Sequence, residues 1–155
     1  MYWLYYAEAN ATTLPPSEYT IKGVSVRRKD RKFLTRLDYA WHLLALGKYR
    51  KFIVLADDGA IVHTSRVIGK CFKFPFLPNG AAEIGPCSTE QDYRGRGIYP
   101  RVLTHILVNG GYQSYYMLVH DTNTASIRGI EKAGFSRIGQ VEKRHGRWVT
   151  VTNTQ

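Results

Sequence analysis

Cysteine is scarce in this chain of 155 residues, which contains only Cys71 and Cys87. Small domains that depend on disulfides carry a dense cysteine framework, so two isolated cysteines predict two buried thiols, although a bridge between them stays open. The five histidines are scattered and show no Cys/His spacing of the kind that binds zinc, so a metal site has no support. The cysteine usage favours a reducing compartment.

Long apolar runs and a secretory leader are also missing from the sequence. With the low cysteine content, this predicts a cytoplasmic protein without a membrane span. No repeat, linker or low-complexity stretch divides the chain, and its length suits a single sizeable core. We therefore expect one domain over residues 1–155.

Acidic residues are few, because 12 Asp and Glu face 22 Lys and Arg and leave a formal net charge of +10. Such a charge favours an anionic partner such as nucleic acid, a phosphate or a membrane surface, without choosing among them. The most basic run, RRKDRK at residues 27–32, is expected to be a solvated face.

Hydrophobic periodicity predicts strands and helices that mix around one sheet. Strands are expected at residues 2–6, 19–27, 51–56, 60–68, 81–88, 115–120, 137–143 and 147–152. Helices are expected at residues 30–46, 98–108 and 124–133, and a loop at residues 10–17. In the first helix Phe33, Leu37, Trp41 and Leu44 recur at helical spacing and are expected in the core. This order is typical of an α/β or α+β sandwich.

The most informative segment is YRGRGIY at residues 93–99, which lies between a predicted strand and a predicted helix. Glycines let the backbone turn tightly and approach a ligand, and the free N–H groups at a helix start favour anions. Pro100 suits the first turn of that helix, where its missing N–H would be unpaired anyway. The segment predicts a phosphate cradle, although a plain turn or a nucleic-acid surface would have the same pattern.

A second segment, NTASIRGIEKAGF at residues 123–135, has the pattern of a capped helix closed by Gly134. Together the two segments resemble the GNAT superfamily of acetyl-CoA-dependent acyltransferases. The acyl-CoA loop of that family follows Gln/Arg-x-x-Gly-x-Gly/Ala, which Arg94 and Gly97 match and Tyr99 does not. The later family pattern, Asn-x-x-Ala/Ser-Ile followed by Glu-Lys-x-Gly-Phe, is filled by Asn123, Ser126, Ile127, Glu131, Lys132, Gly134 and Phe135. The resemblance extends from about residue 83 to residue 135.

The resemblance implies a single-domain GNAT-like fold, with a mixed, mostly antiparallel sheet flanked by helices and splayed at a central strand. Pro86 fits this, because a residue without an N–H must end the pairing with one neighbour or form a bulge; a simple edge strand is the alternative. In the family, the slot holds the pantetheine arm of CoA. The implied acetyl-CoA-binding residues are Cys87, Ser88, Thr89, Arg94, Gly95, Arg96, Gly97, Ile98, Tyr99, Asn123 and Ser126.

For catalysis the resemblance points to Glu83, which precedes Arg94 by eleven residues, as the catalytic glutamate does in some histone-acetylating members. Burial beside an apolar slot would raise its pKa toward neutrality, as a general base requires, whereas a surface glutamate is the alternative. Many members carry a tyrosine just before Glu-Lys that protonates the departing thiolate. This chain has Ile130 there, so Ser126, Tyr99, Tyr116 or solvent would have to replace that acid.

The resulting expectation is an acyl-CoA-dependent N-acyltransferase that moves acetyl from acetyl-CoA to a primary amine by direct attack. The acceptor is expected to be a small molecule or amino sugar, and the net positive charge of the chain would suit an anionic one. Its site is expected to be built from the first helix, residues 72–79 and the last hairpin. An amine of a protein is the alternative acceptor. The alternatives are a basic nucleic-acid-binding module, which the dispersed tyrosines support less, and a catalytically silent CoA-binding GNAT fold. A homodimer stays open.

Overall fold

The computed structural model describes residues 1–9 and 19–151, and the loop expected at residues 10–17 lies outside them. Its sheet has eight strands in the order β2-β3-β4-β5-β6-β1-β7-β8. The strands are β1 (Tyr2–Glu8), β2 (Thr20–Val24), β3 (Tyr49–Leu55), β4 (Ile61–Gly69), β5 (Ala81–Thr89), β6 (Ser114–His120), β7 (Ser136–Arg144) and β8 (Arg147–Thr150). The helices are α1 (Arg36–Leu44), α2 (Ile98–Asn109) and α3 (Thr124–Lys132), with 3₁₀ helices at Arg28–Phe33 and Gln91–Tyr93.

The sheet is antiparallel except between β5 and β6 at its centre. These two parallel strands pair only over residues 81–83 and 114–116. Beyond that point β5 continues to Thr89 and β6 to His120, with no further ladder between them. The predicted fold class is therefore confirmed, including a mixed sheet that splays at a central strand.

The two hairpins predicted from turn residues are confirmed. Gly59 has a φ of +82° in the β3–β4 turn, which an L side chain rarely adopts. His145 and Gly146 have φ values of +47° and +78° between β7 and β8, a pair of left-handed residues that suits the twist of a two-residue hairpin. The aromatic first strand and the helices that follow residues 97 and 123 are also confirmed.

The core is divided between the two faces of the sheet. On one face α2 and α3 cover alternate strand residues such as Phe52 and Tyr115, both almost fully buried. On the other face a smaller cluster joins Tyr49 and Ile68 to Phe74 and Leu77 of the segment between β4 and β5. Because successive strand residues point to opposite faces, the central strands β3, β4, β5 and β6 each contribute to both clusters.

The continuous helix predicted over residues 30–46 is wrong. A 3₁₀ helix ends at Phe33, Leu34 is extended, and α1 begins after Thr35. The expected core positions Leu37 and Leu44 are 52% and 47% exposed, whereas Trp41 packs against the smaller cluster. Helical spacing predicted one apolar face along a continuous helix. The chain is extended at Leu34 and a new helix is capped at Thr35, so residues before and after this break do not share one helical face.

Three smaller expectations are also corrected. Strand β2 ends at Val24, and β8 ends at Thr150. The basic run is exposed except for Asp30, which is buried, accepts the Ser25 N–H at 3.3 Å and lies 3.5 Å from Lys22 Nζ. Both cysteines are free thiols, as expected, but each is half-buried.

Helix α1 is attached to the sheet through Asp38, whose carboxylate is completely buried. Oδ2 accepts the Thr35 backbone N–H at 2.7 Å and lies 3.1 Å from Lys51 Nζ, while Oδ1 lies 3.3 Å from Arg66 Nε and accepts the Tyr49 hydroxyl. Burial alone would raise the pKa of Asp38, but the hydrogen bonds from Tyr49, Thr35 and Lys51 outweigh it and hold the pKa well below its ordinary value.

We expect Asp38→Asn to destabilise the fold by about 3 kcal/mol, because it leaves buried cations without their counter-charge. Since the folded-state pKa of Asp38 is lowered, its stabilisation is complete above about pH 4 and is lost as the pH falls further. Urea unfolding at a series of pH values measures both effects. Asp57→Asn, at an exposed turn, is the control; an equal loss in both variants would contradict this role.

Candidate active site

The site depends on an irregularity in β5. The β4–β5 register shifts between Ser65 and Val67, opposite the Gly85-Pro86 pair that the sequence singled out. Because such a shift changes which face the following residues reach, Ile84 and Cys87 both pack toward α2 and α3 although they are three residues apart. Glu83, which alternates with Ile84, faces the other side. One strand thus supplies groups to both faces of the sheet.

A cleft of about 680 Å³ opens where β5 separates from β6, between α2 and α3. Ten of the eleven residues predicted to bind acetyl-CoA line it: Cys87, Ser88, Thr89, Arg94, Gly95, Gly97, Ile98, Tyr99, Asn123 and Ser126. The eleventh, Arg96, is exposed, and its guanidinium lies 4.9 Å from the centre of the Tyr93 ring. Two segments that are thirty residues apart in sequence therefore form one cavity.

The mouth of the cleft has the geometry of an anion cradle. Gly95 and Gly97 have φ values of +75° and +74°, and Gly97 is the N-cap of α2. A Cβ built at either glycine would meet nothing within 4 Å, so open space lies beside both. The first turn of α2 contains no acidic residue, which leaves its N–H groups and positive dipole end without a competing carboxylate.

Arg94 ties this loop to the preceding strand, because its Nε donates to the Thr89 carbonyl at 3.0 Å. On the opposite wall Asn123 caps α3, with its Oδ1 accepting the Ser126 N–H at 3.2 Å. Sequence reasoning missed Arg128 and Lys132, which also line the cleft. Arg128 and Lys132 are four residues apart, which places both on one face of α3, and this spacing could have predicted that they lie together.

A buried polar network underlies the cleft and was not anticipated. His63 hydrogen-bonds Thr89 Oγ1 through Nδ1 at 2.7 Å and Ser65 Oγ through Nε2 at 2.8 Å. The Ser65 hydroxyl donates in turn to Cys87 Sγ at 3.2 Å. Burial lowers the pKa of His63 to about 4 and raises the pKa of the Cys87 thiol to about 12, so both groups are neutral near pH 7.

Tyr99 and Ile130 occupy different environments beside this network. Ile130 is completely buried in the core and offers no proton donor. The Tyr99 ring packs against Gly129, where an added Cβ would lie 2.6 Å from Tyr99 Cδ1, and its hydroxyl lies near Cys87. Burial, followed by the nearby Cys87 and Glu83, raises the pKa of Tyr99 well above its ordinary value. The phenol therefore stays protonated and can donate a hydrogen bond.

Glu83 lies at the last paired position before the strands separate, opposite Tyr116 of β6. Its side chain is only 5% exposed, and its Oε2 has no hydrogen-bond partner among the described residues. Burial raises the pKa of Glu83 to about 8, although the positive charge of Lys73 acts in the opposite direction. A carboxyl group with this pKa can accept a proton near neutral pH.

Two general properties complete the description. Within residues 1–9 and 19–151, no three side chains of His, Cys, Asp or Glu come together in a metal-binding group. Across the same residues, no helix combines the length and apolar character that crossing a membrane would take.

The sequence matches no protein-family model and no curated protein. Its structure, however, resembles several solved ones. One is a conserved protein of unknown function from Staphylococcus epidermidis, with a TM-score of 0.61 and 12% identity over 88% of this chain and 57% of that one. Another is a GCN5-related N-acetyltransferase from Sphaerobacter thermophilus, with a TM-score of 0.60 and 17% identity over 88% of this chain and 48% of that one.

A third structure is a chimera of the spermidine N-acetyltransferase SpeG from Vibrio cholerae and hSSAT, with a TM-score of 0.56 and 18% identity over 86% of this chain and 93% of that one. This chain has the fold of the GCN5-related, or GNAT, acetyltransferases. It spans about half of the length of the first two structures and nearly all of the third.

We expect the two cysteines to differ in alkylation by iodoacetamide at about pH 8. The pKa of Cys87 is raised to about 12 and its Sγ accepts from Ser65, so little thiolate forms there, and we expect Cys71 to be labelled first. Peptide mass spectrometry at a series of times measures both rates. After unfolding in urea the two rates should converge. Preferential labelling of Cys87 in the folded protein would contradict the network.

Proposed function

We propose that the protein is an acyl-CoA-dependent N-acyltransferase that moves an acetyl group from acetyl-CoA to a primary amine of a small molecule by direct attack. The observation that carries this proposal is a buried, high-pKa carboxyl group at Glu83, the last residue of β5 that pairs with β6. Glu83 does not itself line the cleft, but the same strand does so from Cys87 onward, and an anion cradle lies at the mouth of that cleft. Positioning and proton removal are the main demands of this reaction.

The residues of the cleft fit acetyl-CoA. The N–H groups at the start of α2 suit a pyrophosphate, and Arg94, Arg128 and Lys132 supply positive charge on both walls. The segment of β5 after Glu83 has no ladder to β6, so its backbone is free to pair with an extended arm that carries amide groups. When bound, acetyl-CoA would supply the electrophilic thioester carbon.

Glu83 would act as the general base. Its unpartnered Oε2 is suited to accept a proton from the attacking amine, directly or through one water molecule. Holding the acceptor next to the acetyl group adds to the rate, because the encounter becomes effectively unimolecular. Burial of Glu83 prevents its permanent ionisation, so that it can take up and release a proton during each turnover.

Tyr99 is the residue best placed to assist the departing sulfur, together with or instead of Ser126. Tyr99 lines the cleft, its hydroxyl remains protonated, and it lies near Cys87, which accepts the Ser65 hydroxyl. Ile130 cannot perform this task, because it is a core residue. A phenol that donates a hydrogen bond stabilises negative charge as it develops on sulfur, and this lowers the barrier to departure.

The similar structures support this reading of the site. Two of those compared are N-acetyltransferases, and one of them acts on spermidine. They support a small amine as acceptor here, although the identity of each to this chain is below 20%. A catalytically silent CoA-binding protein and a nucleic-acid-binding module are outcomes that the following experiments would reveal.

We expect changing both Gly95 and Gly97 to valine to abolish the binding of acetyl-CoA while the protein stays folded. Each glycine has a positive φ that valine strains, and each Cβ would fill the open cradle. Calorimetric titration with acetyl-CoA measures the loss. Gly59→Val is the matched control, since Gly59 also has a positive φ and open surroundings but lies in the β3–β4 turn. Unchanged affinity in the double variant, or no binding by the wild type, would refute the cradle.

We expect Glu83→Gln to lower kcat about 100-fold with little change in acetyl-CoA affinity, because the amide cannot accept the proton of the amine. In the wild type kcat/KM should rise with pH and level off above about pH 8, since the base must be ionised. The Gln variant should lack that step. Steady-state release of the CoA thiol measures both quantities, with exposed Glu90→Gln as the control. Retention of full activity would show that Glu83 is not the base.

A further inference from the structure

The sheet face that carries Glu83 is lined by aromatic rings. Tyr116 lies opposite Glu83 in the β5–β6 ladder and is half-buried. Its ring centre is 5.2 Å from that of Tyr6 on β1 and 6.0 Å from that of Phe76, which precedes β5. These three half-buried rings form a continuous row, which we call the aromatic row. It presents apolar surface directly beside the buried carboxyl group.

A cation lies on the same side of the protein. Lys73, in the segment between β4 and β5, is half-buried with its Nζ 4.4 Å from the centre of the Trp41 ring. The Trp148 N–H donates to the Lys73 carbonyl at 2.9 Å, which fixes the backbone of this segment against β8. Burial lowers the pKa of Lys73, and Glu83 and Lys143 also affect it, in opposite directions, so the three groups lie near one another.

Glu83 and Lys73 are close but do not pair. Within residues 1–9 and 19–151, no carboxylate oxygen lies within 4.0 Å of Lys73 Nζ. Glu83 Oε2 is likewise buried without a partner among those residues. Buried polar groups nearly always have partners, so the unpartnered Glu83 Oε2, on the same face as the Lys73 ammonium group over the Trp41 ring, points to a ligand with a donor and an acceptor of its own.

We propose that the acceptor is an α-amino acid with an aromatic side chain, an inference that rests on the proposed function. Its amine would meet the Glu83 carboxyl group, its carboxylate would pair with Lys73, and its ring would pack on the aromatic row. The amine and carboxylate of such a molecule are separated by one carbon atom, so they can reach two neighbouring protein groups that do not form an ion pair with each other. The aromatic row gives the ring apolar and edge-to-face contacts.

Other amine classes fit the same face less well. A polyamine would bring a second positive charge toward Lys73 and Lys143, which repel it. An amino sugar needs several hydrogen-bonding partners for its hydroxyl groups, whereas the aromatic row beside Glu83 offers only the phenol groups of Tyr116 and Tyr6, and the Tyr6 hydroxyl already donates to Glu8. The anionic acceptor expected from the net charge of +10 is retained, with a carboxylate as the anionic group.

The test is a set of matched acceptors assayed with saturating acetyl-CoA. L-Phenylalanine is compared with 2-phenylethylamine, which lacks the carboxylate, and with L-alanine, which lacks the ring; glucosamine 6-phosphate and spermidine represent the other classes. We expect kcat/KM for phenylalanine to exceed that for each matched analogue by about 10- to 100-fold, because each analogue leaves one protein group without its partner.

Lys73→Met identifies the cation, since the methionine side chain can still pack on Trp41. We expect the preference for phenylalanine over 2-phenylethylamine, which is the ratio of their kcat/KM values, to fall to about one. Exposed Lys70→Met is the matched control on the same segment and should leave the preference intact. Loss of activity on both amines alike would instead indicate a structural role for Lys73 and would overturn its assignment.

Direct binding separates this inference from the proposed function. Phenylalanine is titrated into the protein with and without CoA by calorimetry, and we expect binding that Lys73→Met weakens about 10-fold or more. Failure of acetyl-CoA to bind would refute the proposed function. Acetyl-CoA binding with turnover of spermidine or glucosamine 6-phosphate in preference to phenylalanine, or with turnover of no amine, would leave that site standing and overturn the amino acid acceptor.

Discussion

The separation of β5 from β6 after Glu83 is the constraint on which the site depends. Three residue pairs hold the parallel strands together, and beyond them each strand follows a different neighbour. A sheet normally satisfies its backbone groups by continuing its ladder, so an opening at its centre leaves groups that need another partner. The cleft is lined by Cys87, Ser88 and Thr89, at the end of β5 that does not pair with β6, and by residues of α2 and α3. The same interruption that weakens the sheet therefore creates a place for an extended ligand.

The shift of register in β5 gives this opening two chemically different sides. Glu83 reaches the face with the aromatic row and Lys73, whereas Cys87 reaches the face with Tyr99 and α2. A regular strand would place both side chains on one face, because they are four residues apart. The proposed donor and acceptor can thus approach the splay from opposite faces of the sheet. Their meeting point is the short segment of β5 between the two residues.

Secondary structure was predicted correctly where the conformational preferences of a few neighbouring residues determine it. The glycines at residues 95 and 97, Pro100 and the cap at Asn123 each have a conformational preference that acts over a few residues, and the elements around them were predicted closely. Prediction was poorer where tertiary contacts decide. Asp38 was not singled out, although Thr35 and Asp38 have the spacing of a capping box, and its buried cations come from two strands.

The candidate site was predictable to a similar degree and for similar reasons. The residues that line the cleft lie in two short runs with recognisable patterns, whereas His63, Lys73 and the aromatic row come from separate strands and loops. No local rule relates such residues, because only the register of the sheet brings them together. Glu83 was accessible from sequence only through its spacing from Arg94, and its burial became evident only from the fold.

Two departures from the family pattern, at Ile130 and Tyr99, lie on facing helices of the cleft. Ile130 places an aliphatic side chain in the core where a tyrosine is common, and Tyr99 places a ring where glycine or alanine is common. Gly129 connects the two changes, because any side chain there would collide with the Tyr99 ring. The phenol supplied from α2 therefore needs the glycine next to Ile130 on α3. Both departures fit the proposal that Tyr99, on the other wall of the cleft, assists the departing sulfur.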